Sequence, residues 1–592
     1  MMAEVKPRVD AVIVGMGWTG AILAKELTDA GLRVVALERG ADRDTQPDFA
    51  YPKIVDELEG SVHRRHLQSL AQETVTIRHR VADTAVPYRQ VGSFKPGTGV
   101  GGAGVHWSGC HFRALPEDLE LRSTLVQRYG ARFLPAEMTI QDFPLTYEEL
   151  EPHFDEFECV CGTSGKAGVL QGVPQEGGNP FEGSRQREYP LPPNPNYLGA
   201  ELFYTAAREM GWHPYPIPAS NASRPYVNPY GCQMGPCNFC GFCSDYGCLN
   251  YSKASPNVCI LPVLRQREGF ELRTRAQVLK IDLDSSGRRA TGVRYLDANG
   301  REVEQPADVV LLCAFSLYNV HLLLVSGIGT AYDPETGRGT VGRNYSYQNL
   351  NRVVLFFDKD VQANPFIGIG GAGTTMDDLN GKQLDNAQAG FVGGGIIWAR
   401  QPGAGPVRGI NLPPGAPAWG TEWKRAVRDS FRHSFYYEVQ GACMSYRQHY
   451  LSLDPTYRDA FGRPLLRMTF DWHDNEIRAS QFLVGKALEM CKLLKPKALA
   501  GDAKKPGEHY NVTRYQSTHT CGGAIMGEDP KTSALNRYLQ SWDVPNVFAI
   551  GANAFPQNNG YNPTGMVGAL ALWCARAIRE RYLKHPGALV QA

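Results

Sequence analysis

The chain has 592 residues, of which 43% are hydrophobic and 20% charged, enough for at least two domains with cores of their own. Its 61 basic and 60 acidic side chains leave a net charge of +1, which argues against nucleic acid as a partner and against a membrane surface held by charge. The amino terminus shows no apolar signal segment, and no run reaches about 18 apolar residues. We therefore expect a cytoplasmic protein unless a partner exports it.

The first predicted elements are a strand, a helix and a second strand, joined by a glycine-rich turn. An apolar run, a segment of helical spacing and another apolar run occupy residues 10–15, 18–30 and 33–38. In the turn, Gly15 permits the tight bend, Gly17 lets a pyrophosphate approach the backbone, and Gly20 lets helix and strand pack closely. Glu38 ends the second strand and is expected to accept from a ribose hydroxyl. The unit predicts dinucleotide binding.

A second glycine-rich loop follows at residues 97–109 and contains Gly101 and Gly102. It has no Ser or Lys arranged as in a Walker loop, and His106 and Trp107 come directly after the glycines. Such loops bring the backbone close to a flat ligand, because glycine has no side chain in the way. We expect this loop to contact the same ligand as the first turn.

The rest of the chain predicts more sheet structure and a return to the first domain. Residues 41–95 are charged and expected to be irregular, and the Pro- and Gly-rich residues 165–200 are expected to form a surface excursion. The later predicted elements are a β-meander at 271–310, strand-like runs within 345–470, a strand at 546–550 and a helix at 565–582. The predicted fold class is α/β: a Rossmann-type domain assembled from separated segments, and a sheet-based substrate domain.

The order of these motifs resembles the glucose-methanol-choline (GMC) family of flavin oxidoreductases. The matching segments span nearly the whole chain: the first glycine turn with Glu38, the loop at 97–109, residues 322–329 and residues 547–564. The resemblance implies an FAD-binding domain made of residues 1–40, 91–115, 225–345 and 540–592, and a substrate domain with excursions at 116–224 and 346–539. It also implies FAD contacts at Val278, Gly551, Ala552, Asn553, Pro563 and Thr564.

The same resemblance implies a catalytic pair, which falls on His519, at the domain junction, and on Asn562. Oxidation of a secondary alcohol needs a base for the hydroxyl proton while a hydride leaves carbon for flavin N5, and a neutral histidine serves near pH 7. The amide of Asn562 is expected to hold the alkoxide-like oxygen.

The tripeptide Val105-His106-Trp107 resembles the Thr-His-Trp motif of pyranose oxidases, with Val in the place of Thr. In that motif the histidine is joined to the 8α-methyl group of the flavin. His106 is therefore a candidate covalent tether for FAD. The alternative is a histidine that packs on the isoalloxazine without a bond.

Five of the 14 cysteines lie between Cys232 and Cys248, which sets this segment apart from the rest of the chain. Structural zinc usually takes two cysteine pairs a dozen or more residues apart, so the intervals of three from Cys237 through Cys240 to Cys243 are crowded for it. Disulfides need an oxidising compartment and suitable geometry, and adjacent CxxC steps pair awkwardly. The third interpretation is an iron–sulfur cluster, since closely spaced thiolates on one loop can wrap an inorganic core.

Resemblance to the membrane-associated sugar dehydrogenases within the GMC family implies a three-iron cluster in the loop 232–259. The near match uses Cys237, Cys243 and Cys248, with Cys240 either spare or the fourth ligand of a four-iron cluster. Cys232 is an alternative ligand or a bystander.

The resemblance implies a dehydrogenase whose electrons pass from flavin through the cluster to a membrane-bound multihaem cytochrome c subunit. A small third subunit would carry the export signal, which predicts a location at the periplasmic face of the bacterial cytoplasmic membrane. The most specific expected reaction is gluconate to 2-ketogluconate, and fructose, glucose or a polyol are alternative substrates. A soluble sugar oxidase and a non-enzymatic redox or iron sensor are the competing classes. Arg343, Arg447 and Arg514 are candidates for binding a substrate carboxylate.

Overall fold

The computed structural model describes residues 3–49, 74–88, 94–403, 409–514 and 517–591. Within these residues eight strands form a first sheet. Their spatial order is Phe270–Thr274, Val34–Glu38, Val9–Val14, Glu302–Leu312, Ala290–Leu296 and Gln277–Leu283, with Glu4–Val5 and Val547–Ala549 both paired to Glu302–Leu312. Ala290–Leu296 pairs antiparallel with both of its neighbours, Glu302–Leu312 and Gln277–Leu283, and the other pairs are parallel.

The helix Trp18–Asp29 supplies the crossover between the parallel strands Val9–Val14 and Val34–Glu38. Val34–Glu38 is buried along its whole length, as expected for a parallel sheet that is covered on both faces. The helix Thr564–Ala577 packs against Trp18–Asp29 and against Tyr147–Cys161, so the carboxy-terminal part of the chain completes the layer beside the first sheet.

A second, antiparallel sheet is formed by six strands of the described chain. Their spatial order is Ala498–Gly501, Asn349–Phe356, Ser434–Gly441, Gly395–Gln401, Ile369–Met376 and Tyr215–Pro216. The helices Leu198–Glu209 and Asp474–Leu493 cover one face and form an apolar core with it. The other face is left to line the site described below.

The prediction that residues 41–95 are irregular is wrong for the part that the structure describes. Val75–Arg78 and Val86–Tyr88 are strands of a third sheet, in which Val75–Arg78 pairs with Pro464–Thr469, itself paired with Tyr450–Arg458. The strand partner lies almost 400 residues later in the chain, so no local pattern announces it. Residues 50–73 and 89–93 lie outside the described residues.

The remaining elements are short and connect these layers. The helices are Ala103–His106, Pro116–Leu119, Leu121–Tyr129, Pro256–Cys259, Leu261–Leu264, Ser316–Val325, Asn386–Ala389 and Gly420–Ser430, with 3-10 or π turns at Thr45–Phe49, Ala131–Phe133, Gly381–Gln383, Ala552–Ala554 and Ile578–Tyr582. Two small hairpins pair Val169–Leu170 with Val173–Pro174 and Tyr226–Val227 with Gln233–Met234. Among the described residues, none of the helices combines the length and the apolar character that a membrane crossing requires.

The predicted α/β fold class is confirmed. The strands of the first sheet fall within residues 1–40, 225–345 and 540–592, and those of the second sheet within 116–224 and 346–539. The division of the chain into two domains at these boundaries stays a prediction, and residues 1, 2, 91–93, 404–408, 515, 516 and 592 lie outside the described residues.

Candidate active site

A central cavity opens between the carboxyl ends of the parallel strands and the free face of the second sheet. One wall is lined by residues that end or directly follow parallel strands, namely Gly15, Glu38, Cys313 and Ile550. This is the edge at which open α/β sheets bind their ligands. The predicted site residues that line the cavity are Gly15, Gly17, Glu38, Gly102, His106, Trp107, Val278, His519, Gly551, Ala552, Asn562, Pro563 and Thr564. Gly20, Gly101 and Asn553 lie behind this lining.

The first glycine turn brings helix and strand into close contact. A Cβ atom on Gly20 would lie 2.1 Å from the carbonyl oxygen of Gly15, so a side chain at this position would collide with backbone. The helix Trp18–Asp29 begins at Gly17 with no side-chain cap and no acid in its first turn. Its amino end, with a partial positive charge, is therefore left to bind an anion at the cavity.

The carboxylate of Glu38 connects the two glycine-rich loops. Glu38 is 5% exposed. Its Oε2 accepts from the N–H of Met16 at 3.0 Å, and its Oε1 accepts from Gly40 at 2.8 Å and from Gly99 at 3.1 Å. A carboxylate offers about four acceptor sites. The predicted ribose contact would therefore share a carboxylate that already holds three backbone amides.

The second glycine-rich loop packs directly on the first turn. The N–H of Gly101 donates to the carbonyl of Met16 at 2.8 Å. A Cβ on Gly101 would meet the Asn257 side chain at 1.9 Å, and a Cβ on Gly102 would lie 3.0 Å from the Cα of Gly17. Gly101 thus serves packing behind the lining, whereas Gly102 faces the cavity beside Gly17.

His106 and Trp107 continue this loop along the cavity wall. The indole N–H of Trp107 donates to the carbonyl of Ala254 at 2.7 Å. His106 Nε2 lies 3.1 Å from the carbonyl oxygen of Lys95, and burial lowers the pKa of His106 to about 4. The imidazole is therefore neutral at physiological pH, with its ring in the cavity lining.

The carboxy-terminal segment adds a second helix start to the cavity. The helix Thr564–Ala577 begins at Pro563 without a side-chain cap and without an acid in its first turn. Asn553 turns away from the cavity, because its amide oxygen accepts from Asn319 at 2.8 Å and its amide nitrogen donates to the carbonyl of Ala549. Its role in the structure is to hold the turn after the last parallel strand.

The structure brings His519 and Asn562 together, and two glutamines set their orientation. The carbonyl oxygen of Gly560 accepts from the amides of Gln348 at 3.1 Å and Gln440 at 2.6 Å, which fixes how both amides point. Gln440 then donates to Asn562 Oδ1 at 3.2 Å, so the Asn562 amide nitrogen faces His519 Nε2 at 3.2 Å and donates to it. On the other side His519 Nδ1 donates to the Gln348 amide oxygen. The proton therefore sits on Nδ1, and Nε2 keeps its lone pair.

Electrostatics favour the same neutral form. Burial, and then the positive charge of Arg400, lower the pKa of His519 to about 3, while Glu438 acts in the opposite direction. A buried, unprotonated imidazole whose Nε2 accepts from an amide can take a proton from a hydroxyl group beside it.

Sequence reasoning missed the charged residues of the second sheet. Arg352, Arg400 and Glu438 line the cavity, whereas the candidates Arg343, Arg447 and Arg514 do not. A signal was available: Tyr436, Glu438 and Gln440 alternate along one strand, and a polar face on a strand that is otherwise buried indicates a functional wall.

The four predicted metal-ligand cysteines lie in a loop that adjoins the cavity. Burial, and next the neighbouring thiol of Cys243, raise the pKa of Cys237 to about 12, and Cys248 and Cys240 act in the same direction. Cys232 is apart from this group and interacts with Cys259, whose pKa is raised mainly by burial. Among the described residues, no three of these sulfur atoms lie within 4.8 Å of one another.

Amide groups point at two of these sulfur atoms. Cys243 Sγ accepts from the N–H of Gly370 at 3.3 Å and from the amide of Asn221 at 3.7 Å, and Cys248 Sγ accepts from the N–H of Lys253 at 3.4 Å. Such N–H···S contacts stabilise thiolate ligands and tune iron–sulfur centres. The donor set fits an iron–sulfur cluster.

The cavity also fits FAD. Two uncapped helix starts meet it, the Gly17–Gly102 approach leaves room for a ligand to touch backbone, and aromatic Trp107 offers a flat surface. In the described part of the chain the buried Trp18 Nε1, at the same wall, has no hydrogen-bond partner. These residues could hold the pyrophosphate and ring system of a flavin dinucleotide.

Comparisons with known proteins agree with this geometry. Residues 195–349 and 445–571 match family models described as GMC oxidoreductase. The chain is 57% identical to the gluconate 2-dehydrogenase flavoprotein of Pantoea cypripedii over 99% of this chain and 96% of that protein. It is 24% identical to the fructose dehydrogenase large subunit of Gluconobacter japonicus, over 96% and 97% of the two chains.

Among solved structures, pyridoxine 4-oxidase from Mesorbium loti shares the fold with a TM-score of 0.60 at 15% identity, over 98% of this chain and all of that one. The near full-length likeness at 57% identity and the two family matches extend the resemblance seen in the motifs. The chain belongs to the GMC oxidoreductase family and is an FAD-dependent oxidoreductase that acts on CH–OH donors.

Proposed function

We propose that the chain is the catalytic subunit of a dehydrogenase that oxidises a secondary alcohol of a sugar acid, with D-gluconate to 2-keto-D-gluconate as the specific reaction. The observation that carries the proposal is the His519–Asn562 pair, held at 3.2 Å where the first sheet's cavity meets the second sheet. The substrate assignment is supported by the 57% identity to a gluconate 2-dehydrogenase flavoprotein.

The proton chemistry follows from the hydrogen bonds around His519. Its Nε2 takes the proton of the substrate hydroxyl, and Gln348 accepts from Nδ1 and so stabilises the charged imidazole that results. Asn562, oriented by Gln440, donates its amide N–H to the developing alkoxide oxygen. Bound FAD would accept the hydride at N5.

The proposed electron outlet is an iron–sulfur cluster held by Cys237, Cys243 and Cys248, with Cys240 beside it as a thiol that does not bind iron. A bound cluster would carry the electron pair of reduced flavin onward as single electrons, as a haem acceptor requires. The loop continues from Cys243 directly into Ser244 and Asp245, which line the cavity. The two sites are thus neighbours along the backbone.

Lys253 links the same two regions. Its ammonium group is buried and donates to the carbonyl oxygens of Cys243 at 2.6 Å, Tyr246 at 2.8 Å and Trp107 at 2.9 Å. One side chain therefore holds the cysteine loop against the cavity wall, and its charge favours electron-rich groups on both sides.

The proposed acceptor is a membrane-bound multihaem cytochrome c subunit, with a small third subunit that carries the export signal. These partners would locate the chain at the periplasmic face of the cytoplasmic membrane, and nucleic acid has no part in the proposal. Apolar side chains exposed near the cysteines offer a contact surface for such a protein: Phe239, Tyr251 and Phe366 are 37%, 38% and 47% exposed.

Anaerobic mixing of the flavin-loaded protein with gluconate tests the proposal. We expect the flavin absorbance to bleach, 2-ketogluconate to form, and an artificial dye to be reduced over many turnovers. In air, hydrogen peroxide should not accumulate with turnover. Stoichiometric peroxide would indicate a soluble sugar oxidase instead, and bleaching by fructose, glucose or a polyol but not by gluconate would move the substrate assignment to those sugars.

We also predict that FAD is bound through His106. The imidazole is neutral and faces the cavity, as a bond to the 8α-methyl carbon requires. Acid-denatured protein should keep yellow fluorescence on a gel, and His106→Ala should release all flavin into the supernatant. His111→Ala, a buried histidine of the same segment outside the lining, is the matched control and should keep the fluorescence. Complete release from the unsubstituted protein would show that the contact is noncovalent.

A further inference from the structure

Three charged side chains of the second sheet form a cluster on the cavity side of His519. Arg352, Glu438 and Arg400 lie on the neighbouring strands Asn349–Phe356, Ser434–Gly441 and Gly395–Gln401. Glu438 is directly opposite Arg352 in the strand register. The three residues share one face with Gln440, which orients Asn562.

Among these three side chains the positive charges exceed the negative by one, and the carboxylate of Asp502 also acts on Arg352. Glu438 receives Arg400 Nε at 2.9 Å, a second bond from the same guanidinium, and Arg352 Nη2 at 3.6 Å. Arg400 also donates to the carbonyl of Gly370 at 2.8 Å. Burial opposes the charge of Arg400, but Glu438 raises its pKa above the ordinary value, so both arginines stay charged.

The two arginines differ in how many of their N–H donors are already used by other residues of the protein. The Arg400 side chain is 12% exposed and its donors are largely taken by Glu438 and Gly370. The Arg352 side chain is 50% exposed, and its contact with Glu438 is longer. Arg352 lines the cavity and therefore keeps N–H donors there for a planar anionic group, and Arg400 supplies fixed charge on the other side of Glu438.

The phosphate groups of FAD would be bound in another part of the cavity. Two further arginines of the lining lie at the Glu38 end: Arg39 follows Glu38, and Arg463 donates to the carbonyl of Val278 at 3.0 Å. The amino end of the helix at Gly17 would bind the pyrophosphate of FAD. The excess charge beside His519 is thus on the substrate side of the cavity.

The geometry points to Arg352, backed by Arg400 and held by Glu438, as the site that binds the carboxylate of a 2-hydroxy acid. This inference rests on the proposed function. It adds the group that selects an acid as substrate and that determines which carbon of the acid is oxidised. In a 2-hydroxy acid the reacting hydroxyl is on the carbon next to the carboxylate, so base and cation must be neighbours. Arg352 and His519 share this wall: Gln440, which orients Asn562 beside His519, is two residues from Glu438, and Glu438 lies opposite Arg352 in the strand register.

Gluconate and gluconamide, which differ only in charge at C1, provide the test. We expect the unsubstituted enzyme to prefer gluconate by about 100-fold or more in kcat/KM, because the Arg352 guanidinium has no anionic partner when the amide is bound. Arg352→Gln should lower kcat/KM for gluconate by about 100-fold and leave gluconamide within a few fold. Arg352→Lys should restore part of the preference, and the product should carry its ketone at C2.

Matched controls separate recognition from folding. Arg447→Gln removes an exposed arginine outside the cavity and should leave both substrates unchanged. Flavin content and thermal unfolding should be the same in all variants. Equal losses for gluconate and gluconamide in Arg352→Gln, or equal turnover of both by the unsubstituted enzyme, would overturn the carboxylate site while the dehydrogenase proposal stands. Failure of both compounds to bleach the flavin would overturn the proposed function together with this inference.

Discussion

Replacing His519 by alanine is expected to lower kcat/KM for gluconate by about 10²–10⁴-fold, the usual contribution of a positioned general base. The hydroxyl proton would then have no acceptor, because Asn562 presents an amide donor and Gln348 lies on the far side of the ring. Flavin should remain bound, since the pyrophosphate and loop contacts are made by other residues. Anaerobic stopped-flow bleaching measures the loss at the chemical step.

The pH profile and a control variant complete this experiment. With a pKa of about 3, His519 is protonated only below that value, so kcat/KM should show no acid limb near pH 6.5 and should fall only as pH drops toward 3. The same shift makes the native state lose stability as pH falls from about 6.5 toward 3, because the unfolded histidine binds a proton first. His213→Gln, at the exposed His213–Asp378 pair, should change neither activity nor profile. Full activity in His519→Ala would contradict the base assignment.

The first sheet could be predicted from the sequence because its elements carry local signals. The apolar run that became Val34–Glu38 and the helix that begins at Trp18 match the predicted segments to within a residue or two. Glycines required by packing, such as Gly20, can also be recognised in the sequence, since a side chain at that position would clash with the carbonyl oxygen of Gly15. Sequence motifs predict the structure well where backbone atoms, rather than side chains, form the site.

The substrate wall could not be predicted in the same way. Arg352, Glu438 and Arg400 are far apart in the chain and become neighbours only through the pairing of three antiparallel strands. Sequence reasoning had no reason to prefer them over Arg447, which instead donates to the carbonyls of Pro334 and Glu335 at the surface. Long-range strand pairing decides which charges meet, and one sequence alone does not contain that information in a local form.

Some residues that the family motifs predict as FAD contacts lie behind the cavity lining. Asn553 sits within a matching segment, yet its amide is used by Asn319 and Ala549. Gly101 sits in the loop, yet it serves the contact with Asn257. Adjacent positions in a motif can thus divide between lining a cavity and supporting the lining, and only packing distinguishes the two.

Replacing Cys243 by serine is expected to remove iron and acid-labile sulfide from the protein while the flavin half-reaction survives. The sulfur of Cys243 accepts from two amide donors, those of Gly370 and Asn221, and Cys243 joins the loop to the cavity through Ser244. Anaerobic bleaching by gluconate should stay near the unsubstituted rate. Reduction of horse-heart cytochrome c should fall by about an order of magnitude or more, since that haem accepts one electron at a time.

Cys232→Ser is the matched control, because Cys232 lies in the same segment but interacts with Cys259 rather than with the other four thiols. It should keep iron, sulfide and cytochrome reduction. Iron and sulfide in full amount in Cys243→Ser, or their absence from the unsubstituted protein after anaerobic preparation, would contradict the cluster and the electron outlet with it.

Cys240→Ser decides between the two cluster types. Cys240 packs against Phe242 and Tyr246 and Cys237 beside Ala219 and Ile369, while both thiols act on Tyr197. We expect the unsubstituted protein to show the electron paramagnetic resonance signal of a three-iron cluster already when oxidised, and Cys240→Ser to keep the same signal. A four-iron cluster would instead be silent when oxidised, give its signal on reduction, and be lost in this variant.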